Sequence, residues 1–258
     1  MNSNNMIFPL DSDFLKKRLS DWEIDLENVS IRELNRLVDE LSKHFEVEFL
    51  RFEFGVPGLT PYKIGPEEEI RVLKDNPRTP STYPPFDGLP RLKEAAAEFI
   101  KKFLDIEVPP KSCIPTVGAM HSGFICQSIA GRKHPGADTI LYLDPGFPVN
   151  KLQTKFLKLK EESIDLYHYR GASLIDKIEA LFSSGEIGGL IWSSPNNPTW
   201  VCLKEEELKG IGKLLTKYDV FGIEDAAYLG MDYRMDYSVP GEPPFIPTVA
   251  RYTNNYFL

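Results

Sequence analysis

Two apolar runs, each closing on a polar motif, constrain this chain more than any other feature of its sequence. Gly188-Gly189-Leu190-Ile191-Trp192 leads into Ser193-Ser194-Pro195-Asn196-Asn197-Pro198-Thr199-Trp200, and Val220-Phe221-Gly222-Ile223 leads into Glu224-Asp225-Ala226-Ala227-Tyr228. Neither run alternates strictly between apolar and polar residues, which is how strands buried on both faces of a parallel sheet read. Between them Leu203, Leu208, Ile211, Leu214, Leu215 and Tyr218 recur at three- and four-residue steps, predicting an amphipathic helix and hence a strand, helix, strand unit. The right-handed crossover of such a unit brings both strand ends to one edge of one sheet. Ligands of open α/β sheets bind outside that edge. Asn197, Asp225 and Tyr228 therefore converge, offering an amide, a carboxylate and a phenol to something planar and polar.

The alternation extends upstream. Thr139 to Leu143 predicts a strand ending at Asp144-Pro145-Gly146-Phe147-Pro148, and Glu162 to Tyr169 predicts another, followed by a helix through Leu174, Ile175, Ile178, Leu181 and Phe182. Cys113 to Val117 is a short strand candidate, after which Gly118-Ala119-Met120-His121 turns into a helix carrying Phe124, Ile125 and Ile129. Unpaired amides and the positive end of the helix dipole at such a start suit a phosphate. The glycine spacing lacks the Lys-Ser/Thr pair of a nucleotide P-loop, and there is no G-x-G-x-x-G. His121 reads as a cap or a packing residue. Leu89, Leu92, Ala96, Phe99, Ile100 and Phe103 predict a long helix behind the Pro- and Thr-rich stretch that holds Tyr83, and Pro66 opens a helix through Ile70 and Leu73. Phe49 to Phe54 alternates like a strand and breaks at Gly55-Val56-Pro57-Gly58. Met1 to Pro9 is polar and loose, Phe14, Leu15, Leu19 and Trp22 predict a short helix, and Ser30 with Glu33 makes a capping box for a helix through Ile31, Leu34, Leu37, Val38 and Leu41.

Composition narrows the function classes. The net charge is -8, and basic residues are dispersed among acids, as at Lys204 and Lys209 around Glu205-Glu206-Glu207, so no nucleic-acid surface is expected. Cys113, Cys126 and Cys202 are odd in number and far apart, and His44, His121, His134 and His168 lack metal-ligand spacing, so no metal site is expected and a reducing cytoplasm is the simplest compartment. No apolar run is long enough to span a bilayer, and the first residues lack the order of a leader. The expectation is a soluble protein with no membrane partner.

Ser194-Pro195-Asn196-Asn197-Pro198-Thr199-Trp200, followed at a second strand end by Asp225-Ala226-Ala227-Tyr228, resembles the signature of the class I and II aminotransferases, pyridoxal-phosphate enzymes of fold type I. Trp200 stands where that family has glycine. The resemblance implies a three-layer α/β/α fold around a mostly parallel sheet: a large cofactor-binding domain over residues 49–258 behind a helical N-terminal arm over residues 1–48. It implies pyridoxal 5'-phosphate, with the backbone of Gly118, Ala119 and Met120 on its phosphate and Phe147 flat against its ring. Asp225 would face the ring nitrogen, and Asn197 and Tyr228 the ring hydroxyl, with Asp225 and Tyr228 as the catalytic candidates. Tyr83, in the stretch ending at Gly88-Leu89, would reach the cofactor phosphate of the partner subunit in a homodimer. Gly55 would bring backbone groups near the substrate carboxylate. The family's Schiff-base lysine follows Asp-x-x-Tyr on a later strand end; no lysine lies between Tyr228 and Leu258, so that lysine and the small C-terminal domain are expected beyond Leu258. The implied activity is biosynthetic amino-group transfer between an amino acid and a 2-oxo acid.

Other readings stay open beside it. β-Elimination and decarboxylation use the same cofactor contacts in the same fold. A non-catalytic sensor or a lysine-free fragment that binds a partner would carry the motifs without turnover, although no basic winged helix precedes the domain.

Overall fold

The computed structural model describes residues 10–27, 29–52, 55, 59–233, 235–237 and 239–258. The chain falls into two compact units, one ending at Thr82 and the other formed by Tyr83–Leu258. The first is helical. The Asp11 carboxylate caps α1 (Ser12–Asp21) by accepting the N–H groups of Asp13 and Phe14 at 2.8 and 2.9 Å. The predicted capping box opens α2 (Ile31–Phe45), with Leu37 and Leu41 buried on its inner face. Phe14 stacks on His44 at 3.8 Å between ring centres, joining the two helices. Pro66 sits in the first turn of α3 (Ile64–Asp75), as expected. The strand predicted from Phe49 is not formed over Phe49–Phe52, where Leu50 and Phe52 are exposed; Glu53, Phe54 and the Val56-Pro57-Gly58 turn lie outside the described residues, as does Met1–Pro9. Alternation makes a strand only where a neighbouring edge takes up its backbone hydrogen bonds.

In the second unit α4 (Pro90–Leu104) and α5 (Gly118–Ala130) precede a sheet of β1 (Thr139–Asp144), β2 (Lys160–Asp165), β3 (Ile187–Ser193), β4 (Phe221–Asp225) and β5 (Tyr256–Phe257). The order is β2-β1-β3-β4-β5, and every pairing is parallel. The connections are α6 (Pro148–Phe156), α7 (Ala172–Phe182) and α8 (Glu205–Tyr218). Successive side chains of the central strands point to opposite layers. Leu141, Leu143, Leu190 and Trp192 meet Leu174, Ile178, Leu208, Ile211 and Leu215 of α7 and α8. Ile140, Tyr142, Ile191 and Ile223 meet Ala130 and Cys126 of α5. With α6 packed beside α5, the result is the expected three-layer α/β/α arrangement.

Three elements differ from the expectation. Cys113 to Val117 forms no strand: it follows a single tight turn over Pro110–Ser112, and Pro115 has no N–H to give a ladder. β2 begins at Lys160 and stops at Asp165 rather than running to Tyr169, because the Asp165 carboxylate accepts the Tyr167 N–H at 2.8 Å and its carbonyl accepts those of His168 and Tyr169. Helix α6 is unanticipated because its inward face is polar, with Asn150 and Thr154 buried and Leu152 and Phe156 exposed. Those buried groups are satisfied together: the Tyr142 hydroxyl lies 3.0 Å from both Gln127 Oε1 and Asn150 O, and Thr154 donates to Gln127.

The glycine pair that opens β3 is set by close approach. A Cβ on Gly188 would lie 2.4 Å from Ala137 O and 2.5 Å from Ala130 O, both backbone atoms that cannot rotate away. Gly188→Ala is expected to destabilise the protein by about 2–3 kcal/mol, read as a lower urea midpoint with an unchanged slope.

Candidate functional site at the carboxyl edge of the sheet

After β1 the chain moves outward to β2 and returns past β1 to β3, so the strand order reverses between β1 and β3. The turns that leave their carboxyl ends therefore diverge and leave a crevice. Phe147 follows β1 as a half-buried residue at the start of α6, Asn197 follows β3, and Asp225 closes β4 opposite Ser193 in the register. Helix α5 runs against the strands: its last residue Ala130 lies over Gly188 and Gly189 at the start of β3. Its first turn, Gly118-Ala119-Met120, thus points to the same edge. The structure brings these residues to one side of the sheet, together with Tyr228. Gly55 is exposed in the first unit and Tyr83 is fully exposed at the start of the second.

One side chain organises the crevice. Asn196 is 1% exposed; its Nδ2 donates to Pro145 O at 2.9 Å, and its Oδ1 accepts the Thr199 N–H at 3.1 Å and the Thr199 hydroxyl at 2.6 Å. It ties the turn after β3 to the turn after β1. The Asn197 N–H donates to Ser193 Oγ at 3.1 Å, which leaves its side chain free to swing outward, and Asn197 Nδ2 donates to the Tyr228 hydroxyl at 3.2 Å. The turn closes with Trp200 N–H on Asn196 O and Asn196 N–H on Val201 O, at 2.8 and 3.0 Å. Trp200 sits there at φ +59°, a left-handed backbone that costs a residue with a Cβ about 1–2 kcal/mol.

The carboxylates of this edge have different environments. Asp225 is half-buried; burial pushes its carboxyl up, opposed by the Ala227 N–H at 3.1 Å, and among the described residues it makes no ion pair. Glu224, on the other face of the same strand, is buried, and burial takes it to about 7 although the Thr248 hydroxyl and Val249 N–H donate to it at 2.6 and 3.0 Å. Glu207 lies at the other extreme. Burial would raise it, but Arg170 donates through Nε and Nη2 at 2.8 and 2.7 Å, and with the N–H groups of Gly171 and Lys204 the carboxyl is held at about 2. In the sequence Glu207 looks like one more member of a solvated acidic run, yet only 1% of its side chain is exposed. Nothing in the local pattern distinguishes it.

At the start of α5, Val117 provides no side-chain cap, Gly118 takes φ +76°, and a Cβ added at Gly118 would meet nothing within 4 Å. The first amides of an α-helix have no partner within the helix. His121 is a cap, as expected: its Nδ1 accepts the Val117 N–H at 3.1 Å. Two clefts flank the turn after β3. One of about 470 Å³ is bordered by Arg170, Thr199, Trp200, Glu207 and Tyr233, and one of about 820 Å³ by Asp144, Lys151, Asp165, Tyr167 and Thr199. Among the described residues no cluster of His, Cys, Asp and Glu could hold a metal, and no helix is long and apolar enough to cross a membrane.

Fold and edge together define a doubly wound α/β domain with a polar ligand crevice at its strand-order reversal. The family model for aminotransferase class I and II matches residues 66–258, and the chain belongs to that family. Glutamate-pyruvate aminotransferase AlaC of Escherichia coli (strain K12) is 27% identical over 190 residues, which cover 72% of this chain and 44% of that protein. A probable aspartate/prephenate aminotransferase of Aquifex aeolicus is 28% identical over 203 residues, covering 78% of this chain and 48% of its own length. The chain thus spans less than half the length of these curated relatives. An archaeal alanine:glyoxylate aminotransferase superposes with a TM-score of 0.66 at 25% identity, over 90% of this chain and 56% of that one. Aspartate aminotransferase from Thermus thermophilus gives a TM-score of 0.70 at 22% identity, over 87% and 56%, a likeness of fold.

The buried Glu224 has a measurable consequence. An acid whose folded-state pKa lies above its unfolded value takes up a proton on folding, so this group withdraws stability as pH rises from about 4.5 towards about 7. Glu224→Gln should flatten the fall of the thermal midpoint between about pH 5 and 8, and an unchanged slope would remove Glu224 as its source.

Proposed function

We propose that this chain is the greater part of the cofactor-binding domain of a pyridoxal-phosphate-dependent aminotransferase, which transfers an amino group between an amino acid and a 2-oxo acid. Family membership supports the reading, and the observation that carries it is the half-buried Asp225, without an ion pair among the described residues, at the same sheet edge as the Asn197 and Tyr228 pair. The donor set fits the cofactor. A half-buried carboxylate is stabilised by a cationic N–H, and a protonated pyridine nitrogen is one. An amide and a phenol already in contact can both turn to a phenolic oxygen, and the first turn of α5, to which Val117 gives no side-chain cap, suits a phosphate dianion.

Pyridoxal phosphate, when bound, supplies an electron sink for the pair released at the substrate α-carbon. The protein's part is to keep that sink deep and the ring fixed. Asp225 holds the proton on the ring nitrogen. Asn197 and Tyr228 hold the ring hydroxyl oxygen, Phe147 covers a ring face, and the amides of Gly118, Ala119 and Met120 hold the phosphate. Gly55 would bring backbone groups near the substrate carboxylate. The active unit is a cytoplasmic homodimer in which Tyr83 serves the cofactor phosphate of the partner subunit; the full exposure of Tyr83 and the exposed Phe86, Leu89 and Leu92 near it are consistent with this.

The test separates binding from chemistry. In the full-length protein, Asp225→Ala should lower turnover of an amino acid and a 2-oxo acid about a hundredfold to a thousandfold, while a spectroscopic titration with pyridoxal phosphate shows a much smaller loss of affinity, because the phosphate contacts remain. Undiminished turnover would remove Asp225 from the ring nitrogen. For assembly, mixing inactive Tyr83→Phe chains with inactive Asp225→Ala chains should restore part of the activity, and a fully active monomer by sedimentation would exclude shared sites.

A further inference from the structure

The motif residue that departs from the family pattern is Trp200, and its surroundings give it work. Its backbone adopts the left-handed conformation that glycine takes without strain. The turn that imposes this is closed by Asn196 through both main chain and side chain. The indole therefore projects from a frame that does not relax, and it meets the ring of Tyr228 at 5.1 Å between centres with the planes inclined by 57°.

Tyr228 needs such a contact. It lies beyond the end of β4, where no ladder orients it. Its hydroxyl meets Asn197 Nδ2 at 3.2 Å and its ring lies against that of Trp200, so one polar and one aromatic contact to Tyr228 come from the same turn. A single hydrogen bond at the tip of a phenol leaves the ring free to rotate about its long axis and to swing; an aromatic face packed against it removes that freedom. Trp200 also borders the cleft of about 470 Å³.

We propose that Trp200 is a positioning residue for Tyr228: its indole, held by a strained turn, fixes the phenol against the Asn197 amide. The juxtaposition belongs to the protein without ligand. Only its consequence, a preformed pair for the cofactor's ring hydroxyl, rests on the proposed aminotransferase reading.

The experiment has two arms. In the first, proteins labelled with ¹³C in the tyrosine rings are compared by NMR as wild type, Trp200→Phe, Trp200→Leu and Trp200→Gly, with the Tyr228 signal assigned through Tyr228→Phe and folding checked by thermal midpoint. Wild type and Trp200→Phe should show a ring-current-shifted Tyr228 signal and a nuclear Overhauser contact to the Asn197 side-chain amide. Trp200→Leu, which keeps apolar bulk without a ring face, and Trp200→Gly should lose both while still melting cooperatively. Persistence of the Overhauser contact in Trp200→Gly overturns the proposal, as does failure of both the Leu and Gly variants to fold, which would make Trp200 a support of the fold.

In the second arm pyridoxal phosphate is titrated into the full-length forms of the same four proteins. Affinity should fall about three- to tenfold in the Leu and Gly variants and hold in Trp200→Phe. Equal affinity in all four would deny Trp200 a part in the cofactor site. Absence of binding in the wild type would instead remove the aminotransferase reading and leave the NMR comparison to decide the positioning role by itself.

Discussion

A parallel sheet covered on both faces can be connected only by crossovers, and each crossover must leave from a carboxyl end and return to an amino end. Every turn out of a strand therefore collects on one edge of this molecule. Phe147, Asn197 and Asp225 are neighbours for that reason alone, although long stretches of chain separate them. The reversal of order between β1 and β3 then opens the space between the turns. Helix α5 uses the same geometry from the other direction, bringing its amino end to the edge because it lies antiparallel to the strands it covers.

Collecting the turns does not by itself give them a shape, and here hydrogen bonding to one buried amide decides. Asn196 bonds across to Pro145 and back to Thr199, so the turns after β1 and β3 move as one piece. Asn197 and Trp200 project from that piece, one towards the Tyr228 hydroxyl and the other towards its ring. A site built on loops gains the rigidity of the scaffold when its turns are tied by buried polar groups with all their partners in place.

The electrostatics follow from how each carboxylate is satisfied. Glu207 joins the loop before α7 to the start of α8 through an arginine and two backbone amides, and it stays ionised although buried. Glu224 is equally buried but has neutral donors and, among the described residues, no cation, so it tends towards its neutral form. Asp225, on the opposite face, has one amide and the open crevice before it. Two adjacent residues of one strand thus serve different ends, one anchoring the segment around Val249 to the sheet and the other facing the ligand space, because side chains alternate across a sheet.

The apolar runs by themselves determined the α/β class, strands β1, β3 and β4 with helices α5, α7 and α8, and the location of Asn197, Asp225 and Tyr228 after strand ends, since burial on two faces leaves a pattern that a single sequence can display. The capping box at Ser30 and Glu33 was equally legible, being a contact between residues three apart. Helix α6 was hidden by its polar inner face, and the segment from Cys113 to Val117 misled because alternation does not report whether an edge is free to pair. The ionisation of Glu207, the burial of Glu224 and the contact of Trp200 with Tyr228 were decided only by tertiary structure. Each depends on groups far apart in the chain, and a residue's desolvation and partners are properties of the space that others fill around it, which local spacing does not encode.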